Sequence, residues 1–192
     1  MNRYHGPILD AAGAILQELR ECRWLTGDIY EDDCNLEIAN RLTARAAFPA
    51  RTGAGNNYPA SRRNCDLIVS LPENRRLWLE TKVAWWIWPA SDGAINRSLC
   101  TKHMISRTDN SAYCDITEKL PLVANGSDFA GQLVIGFDSE EHSLDKVVYG
   151  LAKDAKLGGP NWMRLYDSWP NPEDNAYRVR AWIWCREVTS AC

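Results

Sequence analysis

The sequence predicts an α/β protein, a mixed central β-sheet flanked by helices, and three observations carry that reading. Residues 64–71 and 77–86 alternate apolar and polar with period two on either side of a turn-forming stretch, as the strands of a half-buried hairpin do. Residues 131–138, GQLVIGFD, form an unbroken apolar run bounded by glycine and an acid, the pattern of a strand covered on both faces. Residues 8–25, 32–47 and 142–156 place apolar side chains at helical spacing. Helices interleaved with strands in this order pack on both faces of a sheet.

Taken in order, Pro7 sits where a first helical turn needs no amide, and Ile8, Ala12, Ile15, Leu16 and Leu19 form the apolar face of a helix that Gly27 closes. Glu31, Asp32 and Asp33 suit the N-terminal turn of the second helix, where negative charge complements exposed amides. Residues 49–63, PARTGAGNNYPASRR, read as a long loop. Its glycines do not make a phosphate loop, because the lysine and the following Ser/Thr are missing. In the hairpin, Cys65, Leu67, Val69 and Leu71 share one face and Asp66, Ile68 and Ser70 the other; across the turn, Leu77, Leu79, Thr81 and Val83 oppose Trp78, Glu80 and Lys82. Trp85, Trp86 and Trp88 follow, and their apolar flanks favour core over base stacking. The segment 91–112 reads as loop with a short helix, and a helix over 113–124 is ended or kinked by Pro121. Gly158-Gly159-Pro160 ends the helix of 142–156, and 161–176 reads as loop. Residues 177–188 form a last strand whose Arg178, Arg180, Trp182, Trp184 and Arg186 face either meets nucleic acid or a partner subunit, or lies under a helix with its arginines at the rim.

At 192 residues the chain suits one domain, 1–192, with a helical N-terminal part over 1–47 and the hairpin and remaining α/β core over 64–192. A net charge of −3 argues against binding nucleic acid by bulk attraction, but Arg41, Arg45, Arg51, Arg62, Arg63, Arg75 and Arg76 concentrate positive charge around the hairpin. The seven cysteines form no C-x-x-C pair and the three histidines lack ligand spacing, which fits a reduced cytoplasmic protein without structural zinc. No apolar run reaches membrane-span length, and no secretory segment is evident.

The hairpin carries the chemistry. If its loop is odd and centred on Glu73, Asp66 stands across from Glu80, with Lys82 two residues further on the same side. Two close carboxylates repel unless a cation lies between them, which points to Mg²⁺, with Mn²⁺ as a substitute. Lys82 would orient or deprotonate a water, or offset charge on a phosphate. This arrangement, Asp66 followed by Glu80-Thr81-Lys82 on a hairpin, resembles the active site of the PD-(D/E)xK, restriction-endonuclease-like nuclease superfamily. The likeness is close over the hairpin and loose over the surrounding topology, and Cys65 stands where the family usually has proline.

That resemblance implies a restriction-endonuclease-like core and a Mg²⁺-dependent endonuclease, acting on DNA in defence, restriction or DNA processing. Asp66, Glu80 and the Thr81 carbonyl would hold the metal, and Lys82 would serve the attacking water. A helix before the hairpin commonly supplies a further acid, and Glu37 is the matching position; it would otherwise pair with Arg41 one turn on. Arg41, Arg62, Arg63, Lys102 and Arg107 are the expected nucleic-acid contacts, and cutting both strands would favour a homodimer. Two rivals remain. One is a catalytically silent domain of this fold that binds nucleic acid or a protein partner. The other is an unrelated α/β protein in which the motif is accidental and Asp66 and Glu80 lie apart.

Overall fold

The computed structural model describes residues 6–22, 31–45, 48–53, 55–59, 61–85, 103–107, 110–123, 128–171 and 177–188. Helix α1 (Gly6–Glu21) buries Ile8, Ala11, Ala12, Ile15, Leu16 and Leu19, the positions its 3.6-residue period selects. Helix α2 (Glu31–Ala44) starts on three acids and buries Cys34, Asn35, Ile38, Ala39 and Leu42. Gly27, Trp86 and Trp88 lie outside the described residues.

Six strands form one mixed sheet in the order β1-β2-β3-β4-β6-β5. They are β1 (Ala50–Thr52), β2 (Leu67–Ser70), β3 (Arg76–Trp85), β4 (Phe129–Asp138), β5 (Met163–Pro170) and β6 (Arg178–Glu187). Only β3 and β4 pair in parallel. Every residue of β4 is buried, which is why it reads as an unbroken apolar run.

Helices α1 and α2 cover one face of the sheet, over Leu67, Val69, Leu77, Leu79, Leu133, Ile135 and Ile183. The opposite face, with Ile68, Trp78, Ala130, Val134, Trp182 and Trp184, lies under Ile116 and Leu120 and under Val147, Val148 and Leu151 of a later helix, Asp145–Asp154. Burying each large side chain contributes about 1.5–3 kcal/mol, so the two layers lock the central strands in place. Trp85 stacks on Phe137 with ring centroids 3.9 Å apart, inside the first layer.

The structure departs from the sequence reading at both sheet edges. Strand β1 lies within the stretch expected as loop over 49–63, and β5 within that expected over 161–176. An edge strand has one bonded neighbour and shows solvent to part of its surface, so Arg164, Asp167 and Ser168 are tolerated, and Pro170 can close it. The helix expected over 113–124 is α3 (Ala112–Cys114), continued by a π turn, Asp115–Lys119, and a 3₁₀ turn, Leu120–Leu122, in which Pro121 offers no amide. Helix α4 (Asp145–Asp154) stops before the two glycines, and Lys156 takes the left-handed conformation there, φ 56°.

The arginine and tryptophan face of β6 lies under a helix. Trp182 and Trp184 are buried beneath α4, while Arg178 and Arg180 pair with Asp138 at 2.6 and 2.9 Å. Cys22, Cys34, Cys65, Cys114 and Cys185 are buried free thiols. Among the described residues, no helix is long and apolar enough to cross a membrane.

Candidate active site

The turn sets the register of the hairpin. Leu67 pairs with Leu79 and Val69 with Leu77, and the Leu71 amide donates to the Arg75 carbonyl at 2.8 Å, so the loop is odd and centred on Glu73. Continued one step beyond the Leu67–Leu79 pair, that register brings Asp66 to the level of Glu80, and the Asp66 charge acts on the Glu80 carboxyl. Strand β2 stops at that point, leaving the next stretch of β3 with a free edge whose amides still need acceptors. Two carboxylates supply them. The Thr81 amide donates to Asp66 Oδ2 at 2.8 Å and the Val83 amide to Glu31 Oε1 at 3.3 Å. Since a strand residue turns its N–H and C=O to the same side, the Thr81 carbonyl lies on the edge that Asp66 occupies.

Glu80 and Lys82 project from β3 into the second layer. Glu80 is fully buried; Tyr58 Oη donates to its Oε1 at 2.6 Å and Lys119 Nζ to its Oε2 at 2.6 Å. Lys82 Nζ lies 2.9 Å from Glu31 Oε2 and 3.3 Å from Asp115 Oδ2. Lys119 also reaches Asp115 Oδ1 at 2.7 Å. Asp115 is fully buried and meets both ammonium groups as an ion-pair partner. The carboxylates of Glu31, Asp66, Glu80 and Asp115 thus share one locus with the ammonium groups of Lys82 and Lys119.

Burial decides the proton affinities. It pushes the Glu80 carboxyl up to about 8, aided by Asp66 and Asp115 and opposed by Lys119. Burial also raises Asp66, against the Thr81 amide, and Glu31, against Lys82. For Lys82, burial disfavours the charge, but Asp115 and Glu31 outweigh it and the ammonium is held above its ordinary range. Lys82 is therefore a donor and a fixed positive charge. Of the three roles expected of it, orienting a water and offsetting charge on a phosphate suit this held charge better than taking a proton from water.

Glu37 is exposed and pairs with Arg41 at 2.6 Å, so it is no part of the cluster, and Arg41 is tied to it. The acid that α2 contributes is Glu31. Six residues later, Glu37 has turned away by about a third of the helix circumference, whereas Asn35, one turn after Glu31, accepts from Thr81 Oγ1 at 2.7 Å. Arg63 pairs with Glu118 at 3.4 Å, at the rim beside Lys119. Arg62 and Arg107 are exposed, and Lys102 lies outside the described residues. Glu31 resembled an ordinary helix-start acid, and Asp115 with Lys119 an ordinary i,i+4 surface pair; only the pairing of distant segments shows their place.

The chain matches no protein-family model, no curated protein and no solved structure. Its chemistry is thus read from its own donors. Among the described residues, no three His, Cys, Asp or Glu side chains form a ready-made metal cage. Asp66, Glu80 and the Thr81 carbonyl offer a smaller, all-oxygen set. Asp66 is part-exposed, and only one of its oxygens takes the Thr81 amide. A hard ion such as Mg²⁺ or Mn²⁺, which keeps several waters, fits such a set. The Cys65 thiol does not extend it, because its proton is directed at the Leu67 and Leu79 carbonyls and burial raises its pKa.

Proposed function

We propose that this protein is a divalent-metal-dependent nuclease that hydrolyses phosphodiester bonds, with DNA as its substrate and the cytoplasm as its site of action. The observation that supports this most is the place of Asp66, which continues the β2–β3 register to the level of Glu80 and accepts from the Thr81 amide, on the strand edge that carries the Thr81 carbonyl. An accidental motif predicts these two side chains apart. The charge of the cluster favours the same reading: four carboxyl groups outnumber two ammonium groups, and a divalent cation would offset the difference once all four are ionised.

In this mechanism Asp66, Glu80 and the Thr81 carbonyl would hold the metal, which would supply Lewis acidity to the phosphate and to a water. Tyr58 and Lys119 fix both oxygens of Glu80, so its orientation is set before substrate arrives. Lys82, whose charge Asp115 and Glu31 favour, would hydrogen-bond the water or the phosphate oxygens as negative charge builds. Arg63, at the rim, and the exposed Arg62 contact the backbone. The hairpin at the middle of a mixed sheet is compatible with a restriction-endonuclease-like core, and a homodimer would serve double-strand cleavage.

A second reading has its own observation. Glu80 and Asp115 are already compensated by Tyr58 and two lysines, as in a site that binds nucleic acid or a protein without cutting. Incubation of the purified protein with linear, circular and single-stranded DNA and with RNA, in Mg²⁺, Mn²⁺ or EDTA, separates the two. Metal-dependent cleavage lost in Asp66→Ala and in Lys82→Ala is expected. Full cleavage by Asp66→Ala removes the nuclease assignment, and a mobility shift without cleavage transfers it to the binding domain.

A further inference from the structure

Lys119 Nζ sits between two buried carboxylates, 2.6 Å from Glu80 Oε2 and 2.7 Å from Asp115 Oδ1. A cation shared by two carboxylates is the arrangement that a second metal adopts in two-metal phosphodiester sites, where it bridges ligands a few ångströms from the first. Here the bridging cation is an ammonium tethered to the backbone. Its tether is the π turn, which places Asp115 and Lys119 four residues apart on one side and aims both at β3.

We propose that Lys119 permanently fills the position of a second cation, so that the site takes one divalent ion, on the Asp66 side of Glu80. The identity of that ion rests on the nuclease reading above. An ammonium at 2.6–2.7 Å from both carboxylates excludes a metal from the same place, since Mg²⁺ needs those oxygens at about 2.0–2.1 Å. The charges agree. With Lys82 and Lys119 in place and all four carboxyls ionised, as a bound metal would require, the negative excess of Glu31, Asp66, Glu80 and Asp115 equals the charge of one divalent ion and leaves none for another. Lys119 is thus a positioning residue: it holds Glu80 and Asp115 in register and limits the metal count. An arginine at position 119 would preserve the charge, whereas a methionine would preserve the bulk and release both carboxylates to a second ion.

The test is Mn²⁺ stoichiometry, read by electron paramagnetic resonance of free Mn²⁺ and by calorimetry on the full chain, with no substrate present. Wild type is expected to bind one ion and Asp66→Ala none. Lys119→Arg keeps one, and Lys119→Met gains a second, weaker ion while its circular dichroism matches wild type. Two ions in wild type overturn the proposal and leave the metal site standing, whereas no ion in wild type overturns it together with the nuclease reading. A folded Lys119→Met that still binds one ion removes Lys119 from the role. If that variant does not fold, the wild-type count and its retention in Lys119→Arg decide.

Discussion

The ammonium of Lys82 lies 2.9 Å from the carboxylate of Glu31, a residue 51 positions earlier in the chain. With Asp115 at 3.3 Å on its other side, it joins α2, β3 and the π turn through one buried charge. Lys82→Met leaves Glu31 without its cation and Asp115 with Lys119 alone, and is expected to lower unfolding free energy by about 2–4 kcal/mol, somewhat below the loss for a wholly buried pair because Glu31 is one-third exposed and Asp115 keeps a second partner. Chemical denaturation checks this. Adding Asp115→Asn to Lys82→Met recovers part of the loss; strict additivity of the two changes shows that the pair is not coupled.

Stability without metal should depend on pH through Glu80. Its carboxyl is raised in the folded state from 4.5 to about 8. The native chain then keeps a proton that the unfolded chain has released, so this contribution is full below about pH 4.5 and is lost as pH rises toward about 8. Asp66 and Glu31, also raised, act in the same direction. Thermal melts in EDTA are expected to fall across this window for wild type and to flatten in Glu80→Gln. An unchanged slope in that variant assigns the titration to other groups.

Glu37→Ala should leave metal-dependent cleavage within about twofold of wild type, because its side chain pairs with Arg41 on the exposed face of α2. Its stability cost is about 0.3–0.5 kcal/mol, the worth of an exposed i,i+4 pair. Glu31→Gln, by contrast, frees one side of Lys82 and should reduce cleavage at least tenfold. Initial rates of the two variants side by side decide which acid of α2 belongs to the site.

Glu73, at the tip of the hairpin, adopts φ 61°, and Asn74 φ 57°. Asparagine tolerates this conformation better than glutamate does. Glu73→Gly removes the Cβ conflict, partly offset by greater freedom in the unfolded chain, and should raise stability by about 0.5 kcal/mol. A loss of stability measured by urea denaturation contradicts the left-handed turn.

Gly131→Ala should destabilise the sheet. A Cβ there would lie 2.8 Å from the Trp184 carbonyl oxygen, 2.9 Å from Leu79 Cδ1 and 3.0 Å from Cys185 Sγ. The carbonyl belongs to β6, the bonded neighbour of β4, and has little room to retreat, so a loss of about 1–3 kcal/mol is expected from denaturant midpoints.

Much of this architecture was legible where burial imposes a period. The hairpin, β4 and α1 show it because one or both of their faces meet core, and the position of Asp66 opposite Glu80 follows from the parity of a turn. Strands β1 and β5 were not legible, since edges can carry polar residues and still pair. Within the site, Lys82 was evident from its neighbours in the chain, whereas Glu31, Tyr58, Asp115 and Lys119 reach β3 from separate segments and carry no local pattern. Glu37 was named from the resemblance, with pairing to Arg41 as its alternative, and the structure shows that pair on the exposed face of α2.

The odd loop centred on Glu73 makes the hairpin a ruler with two readings. Substitutions at its tip alter how comfortably the chain turns, but the insertion of a single residue would offset every pair below it, and Asp66 would no longer meet Glu80. The tip can therefore drift in composition over evolutionary time while its length is held fixed by chemistry at the far end of the strands.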